Sequence, residues 1–300
     1  MSGDNETTRN YVIGQAAFTA RPIESALYLV ATPIGNLSDI TIRALETLAA
    51  ADIVACEDTR VSRVLLDRYG IRRRTTPYHE HNASEAGPRL VEAVLSGKSV
   101  ALISDAGTPL VSDPGFRLVN EVVEGGGRVI PIPGASALLS ALTASGLPSD
   151  AFFFAGFLPV KAGQKKTRLQ ELVAIPGTLI FYESPRRLAD TLTAMVEVLG
   201  DRPAAIGREL TKTFEEMRRG SLAALAAAYN EEDTPRGEIV ICVGPPLAVE
   251  APTGQDIDAL LLSLAAELGA SKAAGEAAKM TGGRKADLYR RLMELKGDGG

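Results

Sequence analysis

The sequence predicts an α/β protein built as two successive α/β units followed by a small helical module. Three observations carry this. From Ala26 onward, short apolar runs alternate with amphipathic stretches, the pattern of a mostly parallel sheet covered by helices on both faces. Beyond about residue 148, extended runs follow one another more often, which predicts a mixed sheet. The final stretch, 255–297, is Ala-rich and helical in pattern. The expected organisation is a flexible tail over 1–24, one α/β domain over 25–147, a second over 148–247 and a helical extension over 248–300.

The elements follow in order. The opening MSGDNETTRN is polar and acidic and lacks the basic start and apolar stretch of a signal peptide, so 1–24 reads as a tail. ALYLVA is the first strand, apolar throughout, as a strand buried on both faces should be. After TPIGNL, the segment SDITIRALETLAAA is a helix. Ser38 or Asp39 is its expected cap, and Ile42, Leu45, Leu48 and Ala49 share one face. DIVAC is a second strand, EDTR a turn, and a helix then runs to about Arg68. A strand near 76–78, a helix over 84–96 and a strand over 99–103 come next. SDAGTPLVSDPG leads into a helix over 114–124, with Asp113 expected as its cap. RVIPI is a strand, and PGASALLSALTASG becomes a helix stopped by Gly146. In the second unit, strands are expected at 151–155, 178–182, 203–207, 213–218 and 237–243. Helices are expected near 164–173, 185–199 and 221–229.

With 300 residues, 45% of them hydrophobic, the chain has the length for two domains and an ordinary globular composition. A net charge of −5 excludes a uniformly cationic nucleic-acid binder, though not local basic patches. Cys56 and Cys242 lie far apart, and no CxxC or Cys/His spacing occurs. Neither a disulfide framework nor a zinc site is expected, and a cytoplasmic location fits. No apolar run approaches the length of a membrane span, so no membrane partner is expected.

Four small, polar segments follow expected strands of the first unit: TPIGN, EDTR, SDAGTP and PGASA. In a parallel sheet they gather beyond the carboxyl ends of the strands, where open α/β sheets bind ligands. Gly35, Gly107 and Gly134 remove side chains where a ligand would approach the backbone, and Pro33, Pro109 and Pro133 stiffen the loops. Singly, each is an ordinary βα turn; together they point to a pocket for a flat, polar molecule. Asp58 and Asp105 are either site groups or local turn and cap acceptors. No GxxxxGK[ST], GxGxxG or GxSxG pattern is in place. His79 and His81 can share a strand face, but no third ligand accompanies them, and no metal is expected.

The segments LYLVATPIGNLSDITIRALETL, ACEDTR, SDAGTPLVSDPG and PGASA, continued by FYESPRRL, GRELTKTFEE and RGEIVICVG, closely resemble the tetrapyrrole-methylase superfamily, and within it the branch acting on ribosomal RNA. The resemblance covers about 26–244. The tail GASKAAGEAAKMTGGRKADLY resembles the small helical module that closes this branch. The resemblance implies two α/β domains with S-adenosylmethionine folded into the cleft between them, and a homodimer. It also implies methylation of the ribose 2′-hydroxyl of a cytidine in the decoding region of 16S rRNA, within the small ribosomal subunit. Related branches methylate corrin or porphyrin precursors, so a tetrapyrrole-type small molecule is the alternative substrate. A non-catalytic RNA-binding ribosome-assembly factor is the third reading.

By the same resemblance, Pro33, Gly35 and Asn36 belong to the first cofactor loop. Asp105, Ala106, Gly107 and Thr108 belong to the second, where Ser104 and Ala106 replace the Gly and Pro of a Gly-Asp-Pro found elsewhere in the superfamily. Gly134, Ala135 and Ser136 belong to the third. Glu183, Ser184, Arg208, Glu209 and Leu210 match cofactor-cleft segments of the second domain. A sulfonium donor is already a good electrophile, so the protein chiefly aligns sulfur, methyl and acceptor oxygen. A ribose hydroxyl is a poor nucleophile and gains from a positioned base. Asp58, Arg60, Glu209 and Lys212 are the catalytic candidates, and the sequence does not choose among them. Glu57, Asp58 and Arg60 form an acceptor-side group, and Asp105 goes with the cofactor. For RNA, the expected phosphate contacts are Arg72, Arg73 and Arg74, Lys165 and Lys166, and Arg186 and Arg187. Each run reads equally well as solvated surface.

Overall fold

Residues 9–24 are structured rather than tail-like. In the computed structural model, which describes residues 9–113, 115–247 and 254–297, β1 (Asn10–Ile13) and β2 (Ala16–Thr19) form an antiparallel hairpin. Tyr11 is 3% exposed, stacks on Phe18 and anchors the hairpin in the first core. The Val12 N–H donates to the Tyr69 carbonyl. Tyr11 is the one fully buried residue of the two strands, so no period-two pattern announced them. Residues 1–8 of the expected tail lie outside the described residues.

The first α/β half runs β3 (Leu27–Val30), α1 (Ile42–Ala50), β4 (Ile53–Cys56), α2 (Thr59–Arg68), β5 (Thr75–Pro77), α3 (Ala83–Leu95), β6 (Val100–Ile103), α4 (Phe116–Glu124), β7 (Val129–Ile132) and α5 (Ala137–Ser145). The sheet order is β5-β4-β6-β3-β7, and every pairing is parallel. Period two distributes β3 to two cores. Tyr28 and Val30 meet Leu45 and Leu48 of α1 and Leu66 of α2, while Leu27 joins Leu90 and Val94 of α3 and Leu118 of α4. Both faces are therefore covered, which is why the strands are apolar throughout.

Two capping expectations are corrected. Thr41, not Ser38 or Asp39, caps α1, its hydroxyl accepting from the Ala44 N–H at 3.1 Å; residues 37–39 form a separate 3-10 turn. Ile42 is consequently 61% exposed, and Ala44 joins Leu45, Leu48 and Ala49 on the buried face. Asp113 does not cap α4 either: that position is held by Gly115 at φ +139° with no side-chain cap.

The second half runs β8 (Phe152–Phe157), α6 (Ala162–Leu172), β9 (Thr178–Glu183), α7 (Leu188–Leu199), β10 (Pro203–Arg208), β11 (Glu216–Ser221), α8 (Leu222–Glu231) and β12 (Ile239–Val243). Its order is β11-β10-β12-β9-β8, with only β8 and β9 parallel. This is the mixed sheet expected. β11 begins three residues later than anticipated because 209–215 forms a tight turn, with Glu209 and Thr211 at positive φ and the Thr211 N–H donating to the Glu215 carboxylate at 2.6 Å. Helices α6, α7 and α8 cover one face. The other face is covered by α5 from the first half: Leu138, Ala141 and Leu142 pack with Ile180, Ala205, Val240 and Cys242. A helix that the chain order places in the first half thus completes the core of the second. The expected boundary at 147/148 falls in the connection between α5 and β8.

Residues 247–300 make a separate unit. Its helices α9 (Gly254–Leu268), α10 (Ala270–Thr281) and α11 (Lys285–Gly297) pack around Leu261, Ala274, Ala277 and Leu292. No helix among the described residues is long and apolar enough to cross a membrane.

Candidate active site

The sheet order explains where the four turns go. β4, β6, β3 and β7 are neighbours in that order, so the loops after them lie in a row at the carboxyl edge. Hydrogen bonds tie the other three to the loop after β6. The Asp58 N–H donates to the Asp105 carboxylate at 3.1 Å, linking the loops after β4 and β6. Thr32 and Gly107 exchange backbone bonds at 2.8 and 3.0 Å, linking the loops after β3 and β6. The Thr108 hydroxyl donates to the Ala135 carbonyl at 3.3 Å, reaching the loop after β7. Gly107 sits at φ +85° against Ile34, a conformation that side chains disfavour. Leu110 and Ser112, at φ +73° and +64°, adopt it nevertheless. Such strain in non-glycine residues concentrates at functional sites.

The second half supplies the opposite wall. A cleft of about 360 Å³ is lined on one side by Ile34, Ala106, Gly107, Thr108, Val111, Ser112, Asp113, Ser136 and Ala137. Phe157, Tyr182, Glu183, Ser184, Pro185 and 237–240 line the other. The lining is mostly apolar with convergent backbone and hydroxyl groups, the usual make-up of a small-molecule site. The halves are also clasped at Lys212. Its aliphatic stem lies where a Cβ on Gly35 would stand, and Glu209 lies where a Cβ on Gly237 would stand. The Lys212 ammonium donates to Glu209 at 2.7 Å and to Glu238 at 3.2 Å.

The expected cofactor residues thus divide. Ala106, Gly107, Thr108, Ser136, Glu183 and Ser184 line the cleft. Gly35 instead makes room for Lys212, and Gly134 for Ala31 at the end of the neighbouring strand β3. Asn36 accepts from the Ser38 N–H as a local turn acceptor, and Ala135 supplies the carbonyl that Thr108 holds. Pro33 and Asp105 line a neighbouring hollow with Leu37, Val61 and Leu65. Arg208 is paired with Glu216 at 2.9 Å, and the Leu210 side chain is buried in the joint core with Ile34 and Leu138. Sequence reasoning missed Val111, Ser112, Phe157, Tyr182 and 237–240. The signal for Ser112 and Asp113 lay in the VSDPG end of the motif, which was read only as a helix start.

Beside the cleft, Glu57, Asp58, Thr59, Arg60, Pro77, His79, His81 and Asp105 line a second hollow of about 430 Å³. The catalytic candidates there and at the clasp are committed to other groups. Asp58 caps α2 through the Arg60 N–H at 2.8 Å and pairs with the Arg60 guanidinium at 2.6 Å; that side chain holds its carboxyl down at about 2. Lys212 holds Glu209 below the usual carboxylate range. Burial pulls Lys212 down, yet its bonds and ion pairs with Glu209 and Glu238 leave it raised. None of these is a free base. Asp113 differs: burial, and then the fields of Glu57 and Asp105, push its carboxyl up to about 6 against the opposing bond from Ser104.

The basic runs separate as well. Lys165 is buried and donates to the Thr191 hydroxyl at 2.9 Å, which in turn donates to Glu183 at 2.7 Å. Arg187 pairs with Glu183 and donates to the Leu158 carbonyl at 2.6 Å. Arg73 donates to the Ala49 carbonyl. These three hold the fold together, so their expected phosphate contacts are corrected. Arg72, Arg74 and Arg186 are exposed, and Lys166, half-exposed, pairs with Glu197.

Two α/β halves, the helix that ends the first packed on the sheet of the second, with loop-lined walls facing across a cleft, define a class of proteins. A family model for tetrapyrrole (corrin/porphyrin) methylases matches residues 26–226, and one for the RsmI C-terminal HTH domain matches 251–296. A ribosomal RNA small subunit methyltransferase I from Mesorhizobium japonicum is 74% identical over 96% of this chain and 100% of its own. That of Pseudomonas aeruginosa is 48% identical over 90% and 98%. The crystal structure of uroporphyrin-III C-methyltransferase from Thermus thermophilus, complexed with S-adenosyl homocysteine, shares the fold at a TM-score of 0.51. It is 20% identical and covers 72% of this chain and 96% of its own. The chain belongs to the tetrapyrrole methylases and, among them, to the ribosomal RNA small subunit methyltransferase I family.

Proposed function

We propose that this protein transfers a methyl group from S-adenosylmethionine to the ribose 2′-hydroxyl of a cytidine in the decoding region of 16S rRNA. The observation that carries the reading is the cleft itself, where the loops after β3, β6 and β7 face β9 and β12. The residues fit the donor. Glycine-bare backbone at Gly107 and hydroxyls at Thr108, Ser136 and Ser184 suit a flat, polar nucleoside. The carboxylates of Glu183 and Glu238 along a mostly apolar lining suit a cation. S-adenosylmethionine supplies the methyl as a sulfonium; the chain's residues bind, align and exclude water. Gly107 and Ser136 hold the first wall and Ser184 the second, while the Lys212 clasp keeps the walls in register.

The names of the relatives support rRNA of the small subunit as substrate, and the bare arginines suit a polyanion. In this reading the enzyme works as a homodimer in the cytoplasm on the assembled subunit. Arg72 and Arg74 contact phosphate. Replacing both with Ala weakens binding to 30S subunits uniformly across rRNA sequences and lowers the salt slope by about two, one for each cation lost. Filter binding across a salt series checks this; an unchanged slope removes the pair from the interface. The reaction is tested by incubating the protein with methyl-labelled S-adenosylmethionine and 30S subunits and mapping the label. Label on a ribose supports the reading, and label on a base or on no RNA contradicts it.

A further inference from the structure

We propose that the Asp113 carboxylate is the base that takes the proton from the acceptor hydroxyl, a role that rests on the ribose-methylating reading above. Asp113 lines the cleft and follows Ser112, whose φ of +64° is held there by the fold. Its side chain caps no helix. Among the described residues it forms no ion pair, whereas the other carboxylates of the cleft are committed. Glu183 accepts from the Ser184 N–H, the Thr191 hydroxyl and Arg187, and Glu238 accepts from Lys212.

The groups facing Asp113 come from three elements. Glu57 follows β4, Asp105 and Ser104 follow β6, and Tyr182 belongs to β9. All are acidic or neutral, so nothing cationic holds the carboxylate at low basicity. With its conjugate acid near 6, it is ionised at neutral pH yet basic enough to accept a proton, the balance that favours general bases. It lines the cleft, and it lies within the electrostatic reach of Glu57 and Asp105, which line the hollow with His79 and His81.

In the step, the hydroxyl O–H bond breaks and its proton passes to an Asp113 oxygen while the hydroxyl oxygen bonds to the methyl carbon. The carbon–sulfur bond breaks with its electron pair kept on sulfur, which becomes a neutral thioether. The protonated carboxyl then releases its proton to water. Because the carboxylate must be ionised, kcat/KM in the wild type rises as pH increases through about 6 and levels above it.

The test compares wild type, Asp113→Asn and Asp113→Glu in single turnover on 30S subunits, with calorimetric binding of S-adenosylmethionine and thermal melting alongside. Asp113→Asn lowers the transfer rate by about 10²- to 10⁴-fold and flattens the pH profile, with donor affinity unchanged. Asp113→Glu recovers part of the rate. A raised folded-state pKa means the charge opposes folding above it. The Asn variant therefore melts about 2 °C higher at pH 8 and level with wild type near pH 4, which also shows that it folds. An undiminished rate in Asp113→Asn, or lost donor binding, overturns the assignment while ribose labelling by wild type leaves the reaction intact. Base labelling by wild type overturns the reaction and the assignment together.

Discussion

Gly107→Val lowers the affinity for S-adenosylmethionine by about 100-fold or more, a cost of roughly 2.7 kcal/mol. Two effects combine. Gly107 has φ +85°, where a β-branched side chain is strained by about 1–3 kcal/mol. Its new Cβ also meets Ile34 at 3.3 Å in a wall of the cleft, so the added methyls must occupy donor space or push the loop after β3 aside. The control is Gly126→Val. Gly126 has φ +79° with nothing within 4 Å of a built Cβ, so it carries the same strain away from the cleft. Calorimetry on both variants separates the effects: Gly126→Val loses stability and keeps donor affinity. Equal affinity in Gly107→Val and wild type contradicts the placement of the donor.

The second large effect is on folding. Glu183→Ala destabilises the protein by about 3–5 kcal/mol, as expected when one partner of a buried charge pair is removed. The Glu183 side chain is 1% exposed and ends a chain running from the buried Lys165 ammonium through the Thr191 hydroxyl. Without the carboxylate, that ammonium stays buried with no counter-charge, and Arg187 loses its anchor between β9 and the 158–159 carbonyls. Replacing the cation as well, in Glu183→Ala/Lys165→Met, recovers part of the loss because the stranded charge is gone. Urea unfolding midpoints measure both. A double variant no more stable than Glu183→Ala contradicts a charge network and leaves Glu183 a packing residue.

That network also shows where sequence reasoning stopped. The residues around the strands of the first sheet were legible because a parallel sheet constrains them. Apolar runs mark the strands, and the small residues after them must gather at one edge. Hence TPIGN, EDTR, SDAGTP and PGASA are found side by side. The opposite wall was less legible. Residues 237–240 reach the cleft because β12 inserts antiparallel between β10 and β9, and no local pattern specifies such a pairing. Lys165 and Arg187 looked like surface cations since charge carries no sign of its own burial; only the helix packing that brings Thr191 beside them reveals it. Asp113 was hidden by a neighbour. A Pro following an Asp is an ordinary helix start, and the shift of the cap to Gly115 depends on backbone angles that residue type does not encode.

The central claim is that the donor occupies the cleft between the two sheets, and crystals grown with S-adenosylhomocysteine test it most directly. The account predicts ligand density against Gly107 and Ser136 on one side and Ser184 and Ile239 on the other. Density confined to the hollow of Glu57, His79 and His81, or a cleft closed by its own side chains with the ligand bound elsewhere, contradicts it.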